Sequence, residues 1–473
     1  MRKIAIIGAG SIVFCKTLML DILAAEGLED IRFALMAPST NHTKDVLAFF
    51  ERVKERNALN ATAYITTDRA DALRGADYVI ATFQIGGMGA YRADYEIPMR
   101  FGVDQCIGDT LAPGGIFRAA RAIPVMLDLV RDMERLCPNA LLLNYVNPNA
   151  MVCWAIGEAT DTIQYVGLCH GVQTTLDLLS GYAGVPKSEV DFLCAGINHM
   201  GWFLKLSHKG RDLYPDLREK FERPEYYANE KVRGEMFRQF GYFMTESTGH
   251  LSEYLPYFRK NRDVLDRFCD EPMFGGKSGA NLKFTEYVQE KLRGRDMLAN
   301  EDTALPPRSV EYGSYIIEAY ALSKSFRFNG NVRNMGMIEN LPFDCCAEGP
   351  MIADATGLHR TVVGKLPPQC AALNLSNINV QRMAVIAATE GNTEALVQAC
   401  ALDPLTAASR LSLPEIREMA SAMLESQREY LPQFAGKTIR PTPFISIPAD
   451  TVRAKVPVDP ALAINARFAE LAK

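Results

Sequence analysis

Cys169, in Gly167-Leu168-Cys169-His170, and His199, in Gly196-Ile197-Asn198-His199-Met200, are the first pair whose chemistry could be shared. A thiolate and an imidazole on neighbouring loops can hold a borderline divalent ion and leave its other positions to substrate oxygens. Spacing alone does not decide the matter, because a buried free thiol and a satisfied core histidine fit the same two segments. Gly8-Ala9-Gly10-Ser11 is the second candidate. It follows an apolar run and opens a helical stretch, where glycines let a backbone approach a pyrophosphate and a helix N-terminus favours its charge. Val13 stands at the third glycine position, so the fingerprint is incomplete and a plain tight turn is the alternative. After the next apolar run, Ala37-Pro38-Ser39-Thr40-Asn41 replaces the acid that would hold the ribose hydroxyls. Losing that carboxylate weakens discrimination against a 2′-phosphate, so NAD is expected first and NADP as tolerated.

The elements that must position these residues alternate. Lys3 to Ile7 reads as a strand buried on both faces, and Ile31 to Met36, Tyr78 to Phe83, Ala140 to Asn144 and Tyr165 to Leu168 read as further strands, with helices between them such as Val13 to Ala25 and Ile116 to Leu136. That alternation predicts an α/β fold with a parallel sheet. A Rossmann-type domain is expected over residues 1–195, followed by a mixed α/β domain for substrate and oligomerisation over 196–473. In the second part Arg211 to Gly241 suggests helices with a solvated face, and Gln381 to Gln398 and Leu413 to Tyr430 look amphipathic. Thr438 to Pro457 is proline-rich and expected to be extended, and Asp459-Pro460 is a good helix start.

Composition narrows the classes. The chain has 473 residues, 48% hydrophobic and 23% charged, with a net charge of −5, so a basic nucleic-acid footprint is missing and no nucleic-acid partner is expected. No run reaches about 18 apolar residues, and the first one is broken by Gly8, Gly10 and Ser11 and meets Lys16 early, so neither a membrane span nor a signal peptide is expected. The 11 cysteines are scattered without framework spacing, which disfavours disulfides and points to the cytoplasm.

Taken together, the segments IIGAGS (Ile6 to Ser11), FQIGG (Phe83 to Gly87), DTLAPGGIFRAARAIP (Asp109 to Pro124), NYVNPNAM (Asn144 to Met151), GLCHGV (Gly167 to Val172) and AGINHM (Ala195 to Met200) resemble glycoside hydrolase family 4. TESTGHLSEYLPYF (Thr245 to Phe258), GNVRNMGMIENLP (Gly330 to Pro342) and SNINVQ (Ser376 to Gln381) continue the likeness in order, and the wording is most similar to the α-galactosidase branch. The resemblance implies a fold like that of lactate and malate dehydrogenases and a homodimer or homotetramer. It also implies hydrolysis of a small-molecule glycoside by transient oxidation at C3, proton removal at C2 and elimination from C1, with NAD and Mn²⁺ or another divalent metal as cofactors. By the same resemblance Cys169 and His199 hold the metal and Tyr254 is the C2 base. His170 is either the acid at C1 or a sugar contact. Gly8, Gly10, Ser11 and Asn147 bind the cofactor, and Asn147, Asp109, Arg118 and His170 bind the sugar, with Asp109 and Arg118 flanking a Gly114-Gly115 turn. Arg333 and His250 fall in matching segments without an assigned role; His42, His208 and His359 have no motif around them and are expected at the surface.

Substrate is less constrained. Galactosidases of the family usually carry Ser where Gly171 stands, whereas Cys-His-Gly occurs in glucuronidases, so an α-glucuronide, an α-galacturonide or another anionic sugar is an alternative. A plain NAD-dependent sugar dehydrogenase is the second alternative, and a dinucleotide-binding sensor the third.

Overall fold

A nearly continuous apolar run such as Lys3 to Ile7 is stable as a strand only where both faces are covered. In the computed structural model of the chain, which describes residues 1–270, 275–292, 298–457 and 459–471, that run lies in the middle of a parallel sheet. Its strands are β1 (Arg2–Ile7), β2 (Ile31–Met36), β3 (Thr62–Thr66), β4 (Tyr78–Ala81), β5 (Leu141–Asn144) and β6 (Tyr165–Gly167), in the order β3-β2-β1-β4-β5-β6. That is the order of the doubly wound nucleotide-binding fold, whose ligands sit beyond the carboxyl ends of the strands. The α/β class read from the sequence is the class observed. Every residue of β4 and β5 is buried, and truncating one such leucine, Leu142 for example, costs about 2–5 kcal/mol. Strand β3 escaped the sequence reading because all five of its residues are only half-buried, so no apolar run marks it.

Two local expectations are corrected. The strand read as Tyr78 to Phe83 stops at Ala81, because the Phe83 backbone folds over Gly8. Gly114 and Gly115 form no turn; they lie in the first turn of the helix Ala112–Leu136, which starts four residues before the expected Ile116 with a proline in its first turn. A Cβ on Gly114 would stand 2.4 Å from the Gly108 carbonyl oxygen, and one on Gly115 2.6 Å from the Thr110 carbonyl carbon. Both glycines therefore let the loop carrying Asp109 press against the helix.

Beyond residue 190 the strands turn antiparallel: β7 (Val190–Ile197), β8 (Met200–His208), β9 (Arg211–Asp212), β10 (Phe326–Arg333), β11 (Cys346–Asp354) and β12 (Gly357–Arg360). They extend the same sheet through β6-β10-β11-β7-β8-β9, with β12 on β11. Residue 195 lies within β7, and residues Met1–Arg440 form one compact unit. The segment read as one helix from Gln381 to Gln398 is two, Pro368–Glu390 and Thr393–Leu402. Gly391 ends the first at φ +61°, and the Asn392 side chain caps the second by accepting from the Ala395 amide. The helix read to Tyr430 ends at Ser426, followed by a 3-10 turn at Arg428–Tyr430.

Residues Pro441–Lys473 form a second unit. Its described part carries neither helix nor strand to residue 457, with a turn at residues 449–450, and is then helical over Pro460–Leu471, with Asp459 Oδ1 accepting from the Ala461 amide at 2.8 Å. No described helix is long and apolar enough to cross a membrane.

Candidate active site

The glycine turn follows β1, Asn147 follows β5 and Cys169 follows β6, so three of the expected groups rise from the carboxyl edge of one parallel sheet. Gly8 has φ +101°, and a Cβ there would lie 2.6 Å from the Phe83 amide nitrogen. Its amide and that of Ala9 donate to the Met36 carbonyl at 2.9 and 3.0 Å, closing the turn. Gly10 is different: among the described residues a Cβ there would meet only the Ala37 methyl, at 3.9 Å. Open space above Gly10, and a helix from Ile12 whose first turn carries neither an acidic side chain nor a side-chain cap at Ser11, suit a pyrophosphate. The two glycines should therefore part on substitution. Gly8→Ala is expected to lower stability by about 1–3 kcal/mol through its left-handed backbone and the clash. Gly10→Leu should leave stability within about 0.5 kcal/mol but weaken NAD binding; denaturant unfolding and NAD titration of both variants check this.

Cys169 and His199, thirty residues apart in sequence, are brought together: Sγ and Nε2 are 3.4 Å apart. Of the eleven cysteines, which form no disulfide, Cys169 alone is not fully buried. His199 occupies the two-residue hairpin between β7 and β8 at φ +62°, so its ring leaves the sheet toward the thiol. A third side chain, unforeseen from the sequence, reaches the pair: Glu246 Oε1 lies 3.5 Å from Sγ and 3.9 Å from Nε2, so the three could hold one ion. Burial, with the tilted His250 ring beside it at a centroid distance of 4.1 Å, lowers the His199 pKa to about 4 and keeps the ring neutral. Burial pushes the Glu246 carboxyl up, but the imidazoles of His199, His250 and His170 outweigh it and bring it down to about 2. Burial and the neighbouring Glu246 and Glu348 push the Cys169 thiol well above its ordinary range. A neutral imidazole, an ionised carboxylate and a thiol that loses its proton to a cation fit a divalent metal.

Around this cluster the other expected residues fall into three sets. Asp109, Arg118 and Asn147 meet: Asn147 Nδ2 donates to Asp109 Oδ2 at 3.4 Å, and Arg118 Nη1 lies 3.7 Å from the same oxygen. Asp109 Oδ1 and Arg118 Nε are buried without a partner among the described residues, so both have hydrogen bonds left for a ligand. His170, 48% exposed, points Nδ1 at Glu311 Oε1 at 3.1 Å, which orients the ring and leaves Nε2 free. Tyr254 is buried, its ring centroid 6.1 Å from that of His199 and the Thr110 side chain hydrogen-bonded to its hydroxyl. Beside it Glu253 accepts from the backbone amides of Cys106, Ile107 and Gly108 and so holds the loop leading to Asp109.

Arg333 lies apart, donating to the Gly157 carbonyl at the far end of the helix Asn149–Ala159. His42 and His359 are exposed as expected, and His208 is half-buried against Glu189. Glu311 and Glu348 were missed along with Glu246. Glu348 had a signal: an acid inside the apolar strand Cys346–Asp354, where burial and Glu246 push its carboxyl up to about 8. Glu311 had none, since it lies outside every quoted segment.

A glycine turn and a cluster of metal donors sharing one sheet with strand order 3-2-1-4-5-6 belong to an α/β enzyme that pairs a dinucleotide with a metal ion. The comparisons make this specific. Residues 3–184 match family 4 glycosyl hydrolase, and residues 194–406 match the family 4 glycosyl hydrolase C-terminal domain, so the chain belongs to family 4 of the glycosyl hydrolases. It is 40% identical to an α-galactosidase of Rhizobium meliloti, over 92% of this chain and 90% of that protein. It is 26% identical to an α-galacturonidase of Thermoanaerobacterium saccharolyticum, over 90% of this chain and 96% of that one. A 6-phospho-α-glucosidase from gut microorganisms, solved with NAD and Mn²⁺, shares the fold at a TM-score of 0.74 and 21% identity, covering 91% of this chain and 98% of that chain. Family 4 stands apart from the paired-carboxylate glycosidases in depending on NAD.

Proposed function

We propose that this chain hydrolyses unphosphorylated α-galactosides by oxidation at C3, proton removal at C2 and elimination at C1. In this reading residues 1–195 carry the dinucleotide and the sugar contacts Asn147, Asp109, Arg118 and His170, residues 196–473 add His199, Tyr254 and the subunit contacts, and the enzyme works in the cytoplasm as a homodimer or homotetramer. The observation that carries it is the donor cluster of Cys169, His199 and Glu246 at the sheet edge that also bears the glycine turn. When bound, NAD takes and returns a hydride at C3, and Mn²⁺ or another divalent ion polarises the sugar oxygens beside it.

The chain's own residues do the rest. Asn147, Asp109 and Arg118 hold sugar hydroxyls through the hydrogen bonds left open on Asp109 and Arg118. Tyr254 takes the proton from C2, which a ketone at C3 has made acidic. His170, aimed by Glu311, gives a proton to the departing oxygen at C1, and water then adds there. A neutral sugar suits the surroundings: Glu246 and Glu311, which both act on Cys169, are acidic groups that would disfavour a uronic acid or a phosphate beside it.

An acid matters most where the leaving group is poor. His170→Ala is expected to slow methyl α-galactoside by about 10²–10⁴-fold and a nitrophenyl α-galactoside far less. Equal losses on both would make His170 a sugar contact only. Substrate class is tested with aryl α-galactoside, α-glucoside, α-glucuronide and α-galacturonide in the presence of Mn²⁺, NAD and a reductant. Preference for the galactoside is expected. Preference for a uronide would overturn the neutral-sugar reading, and accumulating NADH without free aglycone would make the chain a dehydrogenase.

A further inference from the structure

A side chain at position 171 would place its Cβ 2.0 Å from Glu246 Oε1 and 2.8 Å from its carboxyl carbon. Only glycine coexists with this carboxylate where it stands. Glu246 in turn sits at φ +72°, a left-handed backbone that costs a residue other than glycine about 1–2 kcal/mol. The preceding residue anchors that backbone to the hairpin bearing His199: the Thr245 amide donates to the Gly201 carbonyl at 2.8 Å, and its hydroxyl accepts from the Gly201 amide at 2.9 Å. A strained residue and a vacated neighbour thus aim one oxygen at the thiol and the imidazole. The three donor separations of 3.4, 3.5 and 3.9 Å suit bonds of roughly 2.0–2.3 Å to one shared ion.

We propose that Glu246 is the third protein donor of the metal centre, with Cys169 and His199, and that Gly171 is the residue that admits it. This rests on the metal-dependent reading above. Two anionic donors and one neutral donor cancel the charge of a divalent ion, whereas a thiolate and an imidazole alone leave one positive charge. The ion is then held before any sugar arrives, and the centre has no net attraction for a sugar carboxylate or phosphate. Glycine at 171 thereby answers to the metal rather than to a uronic acid.

The test titrates Mn²⁺ alone into metal-free protein and follows the electron paramagnetic resonance of the unbound ion. Glu246→Gln is expected to weaken Mn²⁺ binding at least about tenfold while NAD affinity is unchanged. Gly171→Ala keeps Glu246 in the chain but displaces it, and should weaken Mn²⁺ in the same direction. Wild-type Mn²⁺ affinity in Glu246→Gln, with binding lost in Cys169→Ala, would overturn the assignment of Glu246 and leave the metal centre standing. Unchanged affinity in Cys169→Ala as well would remove the metal centre itself. A raised KM for the sugar with unchanged Mn²⁺ affinity would make Glu246 a sugar contact and refute its role as a donor.

Discussion

Cys169→Ala is expected to lose hydrolysis by about 10³-fold or more, because Lewis-acid stabilisation supplies several kcal/mol and each 1.4 kcal/mol is tenfold in rate. The fold should tolerate the change. Cys169 is the one cysteine not fully buried, and its contacts are with the His199 ring, the Glu246 carboxylate and the Gly171 amide. A purely structural thiol would give the opposite pattern, with lower stability and near-normal turnover. The check is kcat at saturating Mn²⁺ and NAD beside the unfolding midpoint of the metal-free protein. Treating the wild type with a chelator should reproduce the variant's loss, and added Mn²⁺ should restore only the wild type.

Tyr254→Phe is the second large effect. The phenol is buried, and burial together with Asp109, Glu253 and Glu246 pushes it well above its ordinary range, with the Thr110 hydrogen bond pulling the other way. Such a group accepts a proton from carbon only as the phenolate, and an ion held by the cluster around His199, with ring centroids 6.1 Å apart, would offset the Glu246 carboxylate that helps keep the proton on it. Phenylalanine keeps the ring and its packing and removes only the hydroxyl. An aromatic packing residue would survive that change. A base would not: kcat is expected to fall by about 10²–10⁴-fold with stability nearly unchanged, measured by steady-state rates and thermal unfolding.

Much of this arrangement could be read before any coordinates. The runs Lys3 to Ile7, Ile31 to Met36 and Ala140 to Asn144 are apolar because both faces of the sheet are covered, and that constraint writes itself into sequence. Cys169 and His199 each close a short apolar segment, but it was the resemblance of the surrounding motifs that singled them out as a metal pair. What a linear reading cannot show is which carboxylates arrive from elsewhere. Glu246 reaches the thiol because its backbone is left-handed and position 171 is bare, and neither fact has a local signature until the two segments touch. Glu311 is 141 residues from the His170 it orients. Gly114 and Gly115 resemble a turn in sequence, yet they serve a helix pressed by a loop, so the same composition carries two structural meanings.

Hydrolysis of an aryl α-galactoside in heavy water separates this chemistry from direct displacement. Galactose released by the wild-type enzyme should carry deuterium at C2, taken from solvent after the proton there has been removed. Protium kept at C2 through turnover would contradict oxidation and elimination, whatever metal or dinucleotide the protein is found to bind.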